Sequence, residues 1–160
     1  MMTTIYLLLG SNEGDRIHLL QTAVRELQQH CGAVIKKSSL YETAAWGLEE
    51  QPDFLNQVVK LKTHHSPQAL LTTIQEIEKN LGRQRKVKWG QRTLDIDILF
   101  YGKKTIQTPA LAIPHPYMQD RRFTLLPLAE IAPQFVHPLL RKTITTLLKE
   151  CKDRLEVKKL

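Results

Sequence analysis

The sequence predicts an α+β fold in which helices pack on one face of a mainly antiparallel sheet. Three observations predict it. The chain of 160 residues is 42% hydrophobic and 24% charged, which is ordinary for one compact domain. Its apolar residues change between strand and helix periodicity in the order strand, helix, strand, strand, helix, strand. Turn residues separate the segments, so we expect residues 1–160 to form a single domain.

The first half of the chain contains three of the predicted strands and one helix. The apolar run 4–9 is a strand that ends at Gly10-Ser11-Asn12. Asp15 can cap a helix that Gly32 ends. Residues 33–41 and 54–63 are the second and third strands. The predicted buried face of the helix consists of Ile17, Leu20, Val24 and Leu27.

The second helix and the fourth strand complete the core. Ser66-Pro67 is a helix start, and Gly82 marks the end of the helix. The fourth strand carries Asp95 and Asp97. This order is that of a ferredoxin-like βαββαβ core, which leaves the second face of the sheet free for a ligand. Beyond Gly102 the chain is a proline-rich C-terminal extension of short elements with a last helix at 143–151.

Charge and cysteine content limit the classes of function. The formal net charge of +7 indicates an anionic partner, such as nucleic acid, a membrane surface or a phosphorylated small molecule. The start of the chain has neither the pattern of a signal peptide nor that of a membrane span. Cys31 and Cys151 are far apart in sequence, and we expect two reduced thiols in a cytoplasmic protein.

The strongest chemical signal is the alternation of carboxylates with apolar residues in the fourth strand. On a strand, Leu94, Ile96 and Ile98 face one side while Asp95 and Asp97 face the other. Two neighbouring anions favour either a proton or a cation between them. Magnesium is usually held by one or two carboxylates together with substrate phosphate oxygens. A solvated strand face is the alternative, and Arg92 and the basic residues before it favour an anionic ligand at this strand.

Those basic residues form the second candidate site. They can neutralise a polyphosphate, and an indole among them can cover a bound ligand. A solvated basic loop explains the charges equally well, but the neighbouring acidic pair favours a metal and phosphate site. The residues are Arg83, Arg85, Lys86, Lys88, Trp89 and Arg92.

Two further segments offer polar and aromatic groups. Prolines on both sides of His115 fix its backbone, and Arg121 and Phe123 follow it with a cation and a flat apolar face. Phe54 and Asn56 share one face of the third strand, where a carboxamide and an aromatic ring suit a heterocycle. The alternatives are a turn histidine, a core aromatic and an exposed asparagine. The turn at 10–14 is not a phosphate loop, because the Walker pattern is missing.

Taken together, the motifs of the chain resemble one family, the 6-hydroxymethyl-7,8-dihydropterin pyrophosphokinases of folate biosynthesis. The resemblance extends over nearly the whole chain. It rests on the order and spacing of Gly10-Ser11-Asn12, Tyr41-Glu42-Thr43, Trp46-Gly47, Gln51-Pro52-Asp53-Phe54-Leu55-Asn56, Gly82-Arg83, Trp89-Gly90, Arg92-Thr93-Leu94-Asp95-Ile96-Asp97, Pro114-His115-Pro116 and Leu126-Pro127-Leu128. It implies a monomer that transfers pyrophosphate from ATP to the hydroxymethyl group of the pterin and releases AMP.

The resemblance also implies roles for individual residues. The implied catalytic residues are Asp95, Asp97, Arg83 and Arg92, and the two aspartates bind two magnesium ions with ATP. The implied ATP-binding residues are Glu78, Arg85, Lys86, Trp89, Ile98, His115 and Arg121. The implied pterin-binding residues are Thr43, Ala44, Trp46, Phe54, Asn56 and Phe123.

Two other classes of function are less consistent with the sequence. Ferredoxin-like sheets with a basic surface can bind single-stranded RNA by stacking bases on aromatic residues. Here the corresponding strand presents Asp95 and Asp97, which repel a phosphate backbone. A metal-dependent glycosyltransferase based on Asp-x-Asp needs a longer chain. We therefore expect small-molecule substrates and neither nucleic acid nor membrane as a partner.

Overall fold

The computed structural model describes residues 1–12, 14–43, 53–82 and 94–160. Within these ranges the strands are β1 (Thr3–Ser11), β2 (Gly32–Lys37), β3 (Tyr41–Thr43), β4 (Phe54–Thr63), β5 (Asp95–Tyr101), β6 (Ile106–Gln107), β7 (Ala112–Ile113) and β8 (Val157–Lys159). The helices are α1 (Arg16–His30), α2 (Pro67–Gly82), α3 (Arg122–Ile131) and α4 (Ile144–Glu150), and Met118–Asp120 forms a 3₁₀ turn. None of the described helices is long and apolar enough to cross a membrane.

The main sheet has the strand order β5-β1-β4-β3-β8, and β2 also pairs with β4. Strand β1 is antiparallel to β4 along its whole length and antiparallel to β5 on its other side. Helix α1 connects β1 to β2, and α2 connects β4 to β5. In each case the two connected strands are parallel to each other, and one antiparallel strand lies between them. This arrangement is the ferredoxin-like core that the sequence predicts.

The two faces of the sheet bury different sets of side chains. Helices α1 and α2 cover the face formed by Ile5, Leu7 and Leu9 of β1. Helices α3 and α4 cover part of the opposite face, where Tyr6 and Leu8 lie. The expectation that the second face is free for a ligand is therefore correct only in part. The face is open beyond α3 and α4, at the end of the sheet where the cavity described below lies.

Most predicted elements agree closely with the structure. Strand β4 has the predicted bounds. The side chain of Asp15 caps α1 by accepting a hydrogen bond from the backbone N–H of His18 at 3.1 Å. The predicted buried face of α1 is wrong at Ile17, which is 44% exposed, whereas Ala23 is fully buried. Ile17 lies in the first turn, beyond the edge of the sheet-facing stripe.

The predicted strand 33–41 is divided into β2 and β3 at Ser38, whose N–H still donates to the Val58 carbonyl at 2.8 Å but whose carbonyl does not accept in return. Its side-chain Oγ accepts the hydrogen bond of the Val58 N–H at 2.9 Å. Its own carbonyl accepts instead from Nε2 of Gln57 at 2.8 Å. A side-chain oxygen thus replaces a main-chain oxygen, a substitution that serine makes readily.

Helix α3 was not predicted, since the sequence indicated only short elements in this proline-rich region. It runs through Pro127, which is buried with its neighbours Leu125 and Leu128. The missing N–H of a proline costs one helical hydrogen bond. Burial of Leu125 and Leu128 against the sheet compensates for that loss, which is a tertiary effect that local sequence does not reveal.

Glu130 connects α3 to β3 and β8. Its carboxylate accepts hydrogen bonds from the Tyr41 hydroxyl at 2.7 Å and from the N–H and Oγ of Ser39 at 3.0 and 2.9 Å. Nζ of Lys159 lies 4.0 Å away. Burial alone would raise the pKa of Glu130, but these hydrogen bonds and the lysine lower it overall. The ionised carboxylate therefore holds α3 against the sheet.

We expect Glu130→Ala to lower the free energy of unfolding by about 1–2 kcal/mol, because the Tyr41 hydroxyl and the backbone N–H of Ser39 lose their acceptor. Urea unfolding followed by circular dichroism measures the change. Glu150→Ala is the control, because Glu150 contacts Lys142 in an exposed ion pair that is expected to contribute little. Equal stability of the two variants would contradict the role of Glu130.

Candidate active site

A cavity of about 460 Å³ opens on the α3 side of the sheet, where β1 ends and β5 begins. Strands β1, β3, β4 and β5 contribute to its wall, together with the start of α3 and the C-terminal segment. The lining residues are Leu8, Gly10, Thr43, Phe54, Asn56, Asp95, Asp97, Arg121, Phe123 and Leu155. The cavity thus brings together the predicted acidic, aromatic and amide groups from distant parts of the sequence.

The register of the paired strands brings these side chains together. Gly10 of β1 is the register partner of Asn56 on one side and of Asp95 on the other. Thr43 of β3 is the register partner of Phe54 in β4. Residues in register on adjacent antiparallel strands point to the same face. The carboxamide, the carboxylates and the threonine therefore share the face that carries the cavity.

The acidic pair has the predicted alternation. Leu94, Ile96 and Ile98 are buried against α1 and α2, whereas Asp95 and Asp97 line the cavity and are half-buried. Successive residues on one face of a strand have Cα atoms about 7 Å apart. At that separation both carboxylates can reach the same bound ligand, either metal ions or the metal-bound phosphates of a nucleotide.

Two residues expected near the nucleotide lie outside the cavity wall. The side chain of Ile98 is 6% exposed and packs in the core, so any ligand contact of Ile98 depends on its backbone. Glu78 of α2 accepts a hydrogen bond from the backbone N–H of Ile96 at 2.8 Å. This bond connects α2 to β5 between the two aspartates of the pair.

Asn56 is 5% exposed, and its Nδ2 donates to the carbonyl oxygen of Leu9 at 3.3 Å. That bond fixes the plane of the carboxamide, which presents an acceptor and a donor to a ligand with an amide-like edge. Gly10 lies directly opposite, and a Cβ added there would be 2.6 Å from Asn56 Nδ2. Gly10 is therefore required by the close approach of Asn56.

We expect Gly10→Ala to displace the Asn56 carboxamide and to weaken binding of the cavity ligand by about tenfold, because one well-placed hydrogen bond is lost. Isothermal titration with 6-hydroxymethyl-7,8-dihydropterin, the ligand that the sequence resemblance implies, measures this change. Gly102→Ala is the control, since Gly102 lies at a distant turn with a φ of 54° and tests the cost of a glycine substitution outside the cavity. Unchanged pterin affinity in Gly10→Ala would contradict the requirement.

Thr43 is 4% exposed, and its Oγ1 has no hydrogen-bond partner within the part of the chain that the structure describes. A buried hydroxyl without a partner costs about 1–3 kcal/mol. A polar ligand atom in the cavity can supply that partner. The position of Thr43 thus indicates a ligand with a hydrogen-bonding edge.

The opposite wall carries the positive charge. The Arg121 guanidinium carbon lies 5.6 Å from the ring centre of Tyr117 and 5.8 Å from that of Phe123. These stacking contacts hold the cation at the mouth of the cavity while leaving N–H groups for an anion.

His115 is half-buried and is not among the residues that line the cavity. Burial lowers the pKa of its imidazole; Asp97 partly offsets that effect, and Arg121 adds to it. The N–H of Tyr117 donates to Nδ1 of His115 at 3.4 Å, which places the imidazole proton on Nε2. A neutral histidine is a hydrogen-bond donor through that nitrogen.

The remaining predicted residues lie outside the described ranges. They are Ala44, Trp46, Arg83, Arg85, Lys86, Lys88, Trp89 and Arg92. Their roles stay predictions.

Sequence reasoning missed three residues of the cavity wall, Leu8, Gly10 and Leu155. Gly10 was interpreted only as a turn residue, and Leu8 only as part of the apolar run of the first strand. Leu155 reaches the cavity because Asp153 accepts hydrogen bonds from the N–H of Leu155 and from that of Arg122 at the start of α3, both at 3.0 Å. No local signal in the C-terminal segment indicates this contact.

Comparison with known proteins identifies the family. Residues 6–133 match the family model described as 7,8-dihydro-6-hydroxymethylpterin-pyrophosphokinase (HPPK). The chain belongs to this family. It is 46% identical to the 2-amino-4-hydroxy-6-hydroxymethyldihydropteridine pyrophosphokinase of Aquifex aeolicus over 89% of each chain. It is 48% identical to the Bacillus subtilis protein of the same name over 84% of this chain and 81% of that one.

Solved structures support the HPPK fold. A Plasmodium falciparum protein described as HPPK-DHPS wild type with pterin and p-hydroxybenzoate superposes with a TM-score of 0.77 at 21% identity. The match covers 94% of this chain and 43% of that one, so this chain spans less than half of the solved protein. At this identity the comparison shows the fold alone.

Proposed function

We propose that the cavity is the pterin site of an HPPK enzyme and that the acidic pair beside it binds the ATP phosphates through metal ions. The chain transfers pyrophosphate from ATP to 6-hydroxymethyl-7,8-dihydropterin, which gives AMP and the pterin diphosphate in folate biosynthesis. One observation supports the site assignment above all others. Asn56 and Asp95 flank Gly10 in register, so the amide and the acidic pair meet in one cavity.

The pterin binds between aromatic side chains in this proposal. Phe54 and Phe123 approach the cavity from β4 and α3, and both are half-buried. A flat heterocycle stacks well on such rings. Asn56, Thr43 and Asp95 then hydrogen-bond its polar edge, and Thr43 gains the partner that its buried hydroxyl lacks.

The acidic pair fits magnesium that arrives with ATP. The described residues contain no group of three or more His, Cys, Asp or Glu side chains arranged to hold a metal ion. Magnesium usually uses one or two protein carboxylates and takes its other oxygens from phosphates and water. Asp95 and Asp97 supply such carboxylates, and we propose two ions. Bound there, the ions would neutralise the phosphate charge that develops during transfer.

The basic residues complete the phosphate site in this proposal. Arg121 and the Nε2–H of His115 contact phosphate oxygens. Arg83, Arg92, Arg85 and Lys86 add positive charge, and Trp89 covers the nucleotide. Glu78 of α2 and the backbone of Ile98 in β5 border the nucleotide.

Catalysis then consists mainly of positioning and charge neutralisation. The pterin hydroxyl oxygen forms a bond to the β-phosphorus of ATP. The bond between that phosphorus and the oxygen bridging to the α-phosphate breaks, AMP leaves, and the hydroxyl proton passes to solvent. No general base is assigned, because phosphoryl transfers of this kind need little proton transfer in the transition state.

We also propose that residues 1–160 form one pyrophosphokinase domain that acts as a cytoplasmic monomer. The free thiols of Cys31 and Cys151 support a reducing compartment. RNA binding is the alternative function from another class. It requires aromatic side chains exposed on the sheet, whereas Tyr6 and Phe100 on that face are buried under α3 and α4.

Product analysis tests the proposed reaction. The protein is incubated with magnesium and ATP, with and without the pterin substrate, and nucleotides and pterins are separated. We expect AMP to form only with the pterin and in an amount equal to the pterin diphosphate. Formation of ADP, or magnesium-independent binding of RNA without turnover, would contradict the proposal.

A further inference from the structure

Arg16 contacts strand β3 and the residue that precedes β4 with a single guanidinium nitrogen. Its Nη1 lies 2.9 Å from the Glu42 carboxylate in β3 and donates to the backbone carbonyl of Asp53 at 2.6 Å. Glu42 directly precedes Thr43, and Asp53 directly precedes Phe54. The arginine therefore joins the chain at the points next to two residues of the cavity wall.

The helix end that carries Arg16 is itself well fixed. Arg16 is the first residue of α1, and its backbone N–H donates to the carbonyl of Gly14 at 3.0 Å. The neighbouring Asp15 caps the helix through His18. The side chain thus extends from a rigid base, with about a quarter of its surface exposed.

The contact acts from the face of the sheet opposite to the cavity. Side chains alternate along β3, so Glu42 faces α1 whereas Tyr41 and Thr43 face α3 and the cavity. Strand β3 has only three residues. Its end is paired through Thr43 with Phe54 of β4 and with Val157 of β8. A contact that fixes Glu42 and the carbonyl of Asp53 from behind limits how far this short pairing can shift.

We propose that Arg16 is a positioning residue for the pterin half of the active site. By joining Glu42 to the carbonyl of Asp53, it holds the register pair of Thr43 and Phe54 in place and so pre-organises the pocket before the substrate binds. The inference rests on the proposed assignment of the pterin to the cavity. It predicts that loss of the Arg16 side chain weakens binding of the pterin and leaves binding of ATP unchanged, because the acidic pair on β5 is held by β1 and by Glu78.

We expect Arg16→Ala to raise the KM and the Kd for the pterin about tenfold, because the end of β3 must then be ordered when the pterin binds. The KM for ATP and the value of kcat are expected to stay within about twofold, because pre-organisation affects binding of the pterin alone. Arg16→Lys is expected to restore part of the pterin affinity, since an ammonium can still contact one of the two oxygens.

Arg25→Ala is the matched control, because Arg25 is an exposed arginine of the same helix whose side chain donates to Thr22 of its own turn. Its kinetics are expected to equal those of the unmodified protein. Glu42→Ala gives an independent test if Arg16→Ala fails to fold. We expect Glu42→Ala to raise the pterin KM, and to add little in the Arg16→Ala background because both changes remove one interaction.

Steady-state kinetics and calorimetric titration of both substrates decide between the outcomes. Equal weakening of ATP and pterin, or an unchanged pterin KM in both Arg16→Ala and Glu42→Ala, would overturn the role of Arg16. Failure of the unmodified protein to bind the pterin or to produce AMP would instead overturn the proposed site. The two failures are therefore distinguishable in one set of measurements.

Discussion

Replacing Asp97 with asparagine is expected to reduce kcat by about 10³-fold, because metal-assisted charge neutralisation contributes several kcal/mol to phosphoryl-type transfers. Asparagine keeps the shape of the side chain but removes its negative charge. Asp97 lines the cavity from β5 with its carboxylate on the face of Asp95. The measurement is pterin-dependent AMP formation at saturating ATP and pterin over a range of magnesium concentrations.

The effect of Asp97→Asn on pterin binding is expected to differ from its effect on turnover. Binding of the pterin to Asp97→Asn in the absence of ATP is expected to change by less than about threefold, because Asn56 and Thr43 supply the pterin contacts. Asp120→Asn is the control, since Asp120 is an exposed carboxylate outside the cavity. Near-normal turnover of Asp97→Asn at saturating magnesium would contradict the proposed role of the acidic pair.

Replacing Asn56 with alanine is expected to raise the KM for the pterin by about 100-fold. The carboxamide is 5% exposed, and a site built to hydrogen-bond a ligand loses much affinity when one partner is removed. We expect the KM for ATP to change little, because Asn56 lies on β4, on the far side of β1 from the acidic strand. Steady-state kinetics with each substrate varied in turn give both constants.

Asn80→Ala controls for the loss of an asparagine. Asn80 lies on the exposed side of α2, so its replacement is expected to leave the KM for the pterin and the KM for ATP unchanged. Thermal unfolding of both variants shows whether the Asn56 variant remains folded. A pterin KM within about threefold of normal in folded Asn56→Ala would contradict the assignment of the cavity, because a specific hydrogen-bonding site cannot lose its partner at so small a cost.

The core of the fold could be predicted from the sequence because its signals are local. Strand β4 and the caps of α1 follow from periodicity, turn residues and a single capping aspartate. The division between β2 and β3 could not be predicted, since it depends on Ser38 reaching the backbone of Val58 across the sheet. Helix α3 was missed for a similar reason: its proline is tolerated only because the helix packs on the sheet.

Part of the candidate site could also be predicted from the sequence, because some of its signals are local. Alternation on one strand indicated that Asp95 and Asp97 share a face, and the structure places them there. The contributions of Gly10 and Leu155 depend on strand register and on the bridge made by Asp153, both of which are long-range. Arg16 is a further example, because its contacts with Glu42 and Asp53 are invisible before the sheet is assembled.

The most direct test of the account follows a labelled phosphorus atom. The protein is supplied with magnesium, 6-hydroxymethyl-7,8-dihydropterin and ATP labelled at the β-phosphorus, and the label is located after a single round of product separation. Attack at the β-phosphorus predicts that the label moves quantitatively to the pterin diphosphate while unlabelled AMP is released. Label retained in ADP, with a pterin monophosphate as the other product, would contradict pyrophosphate transfer at this site.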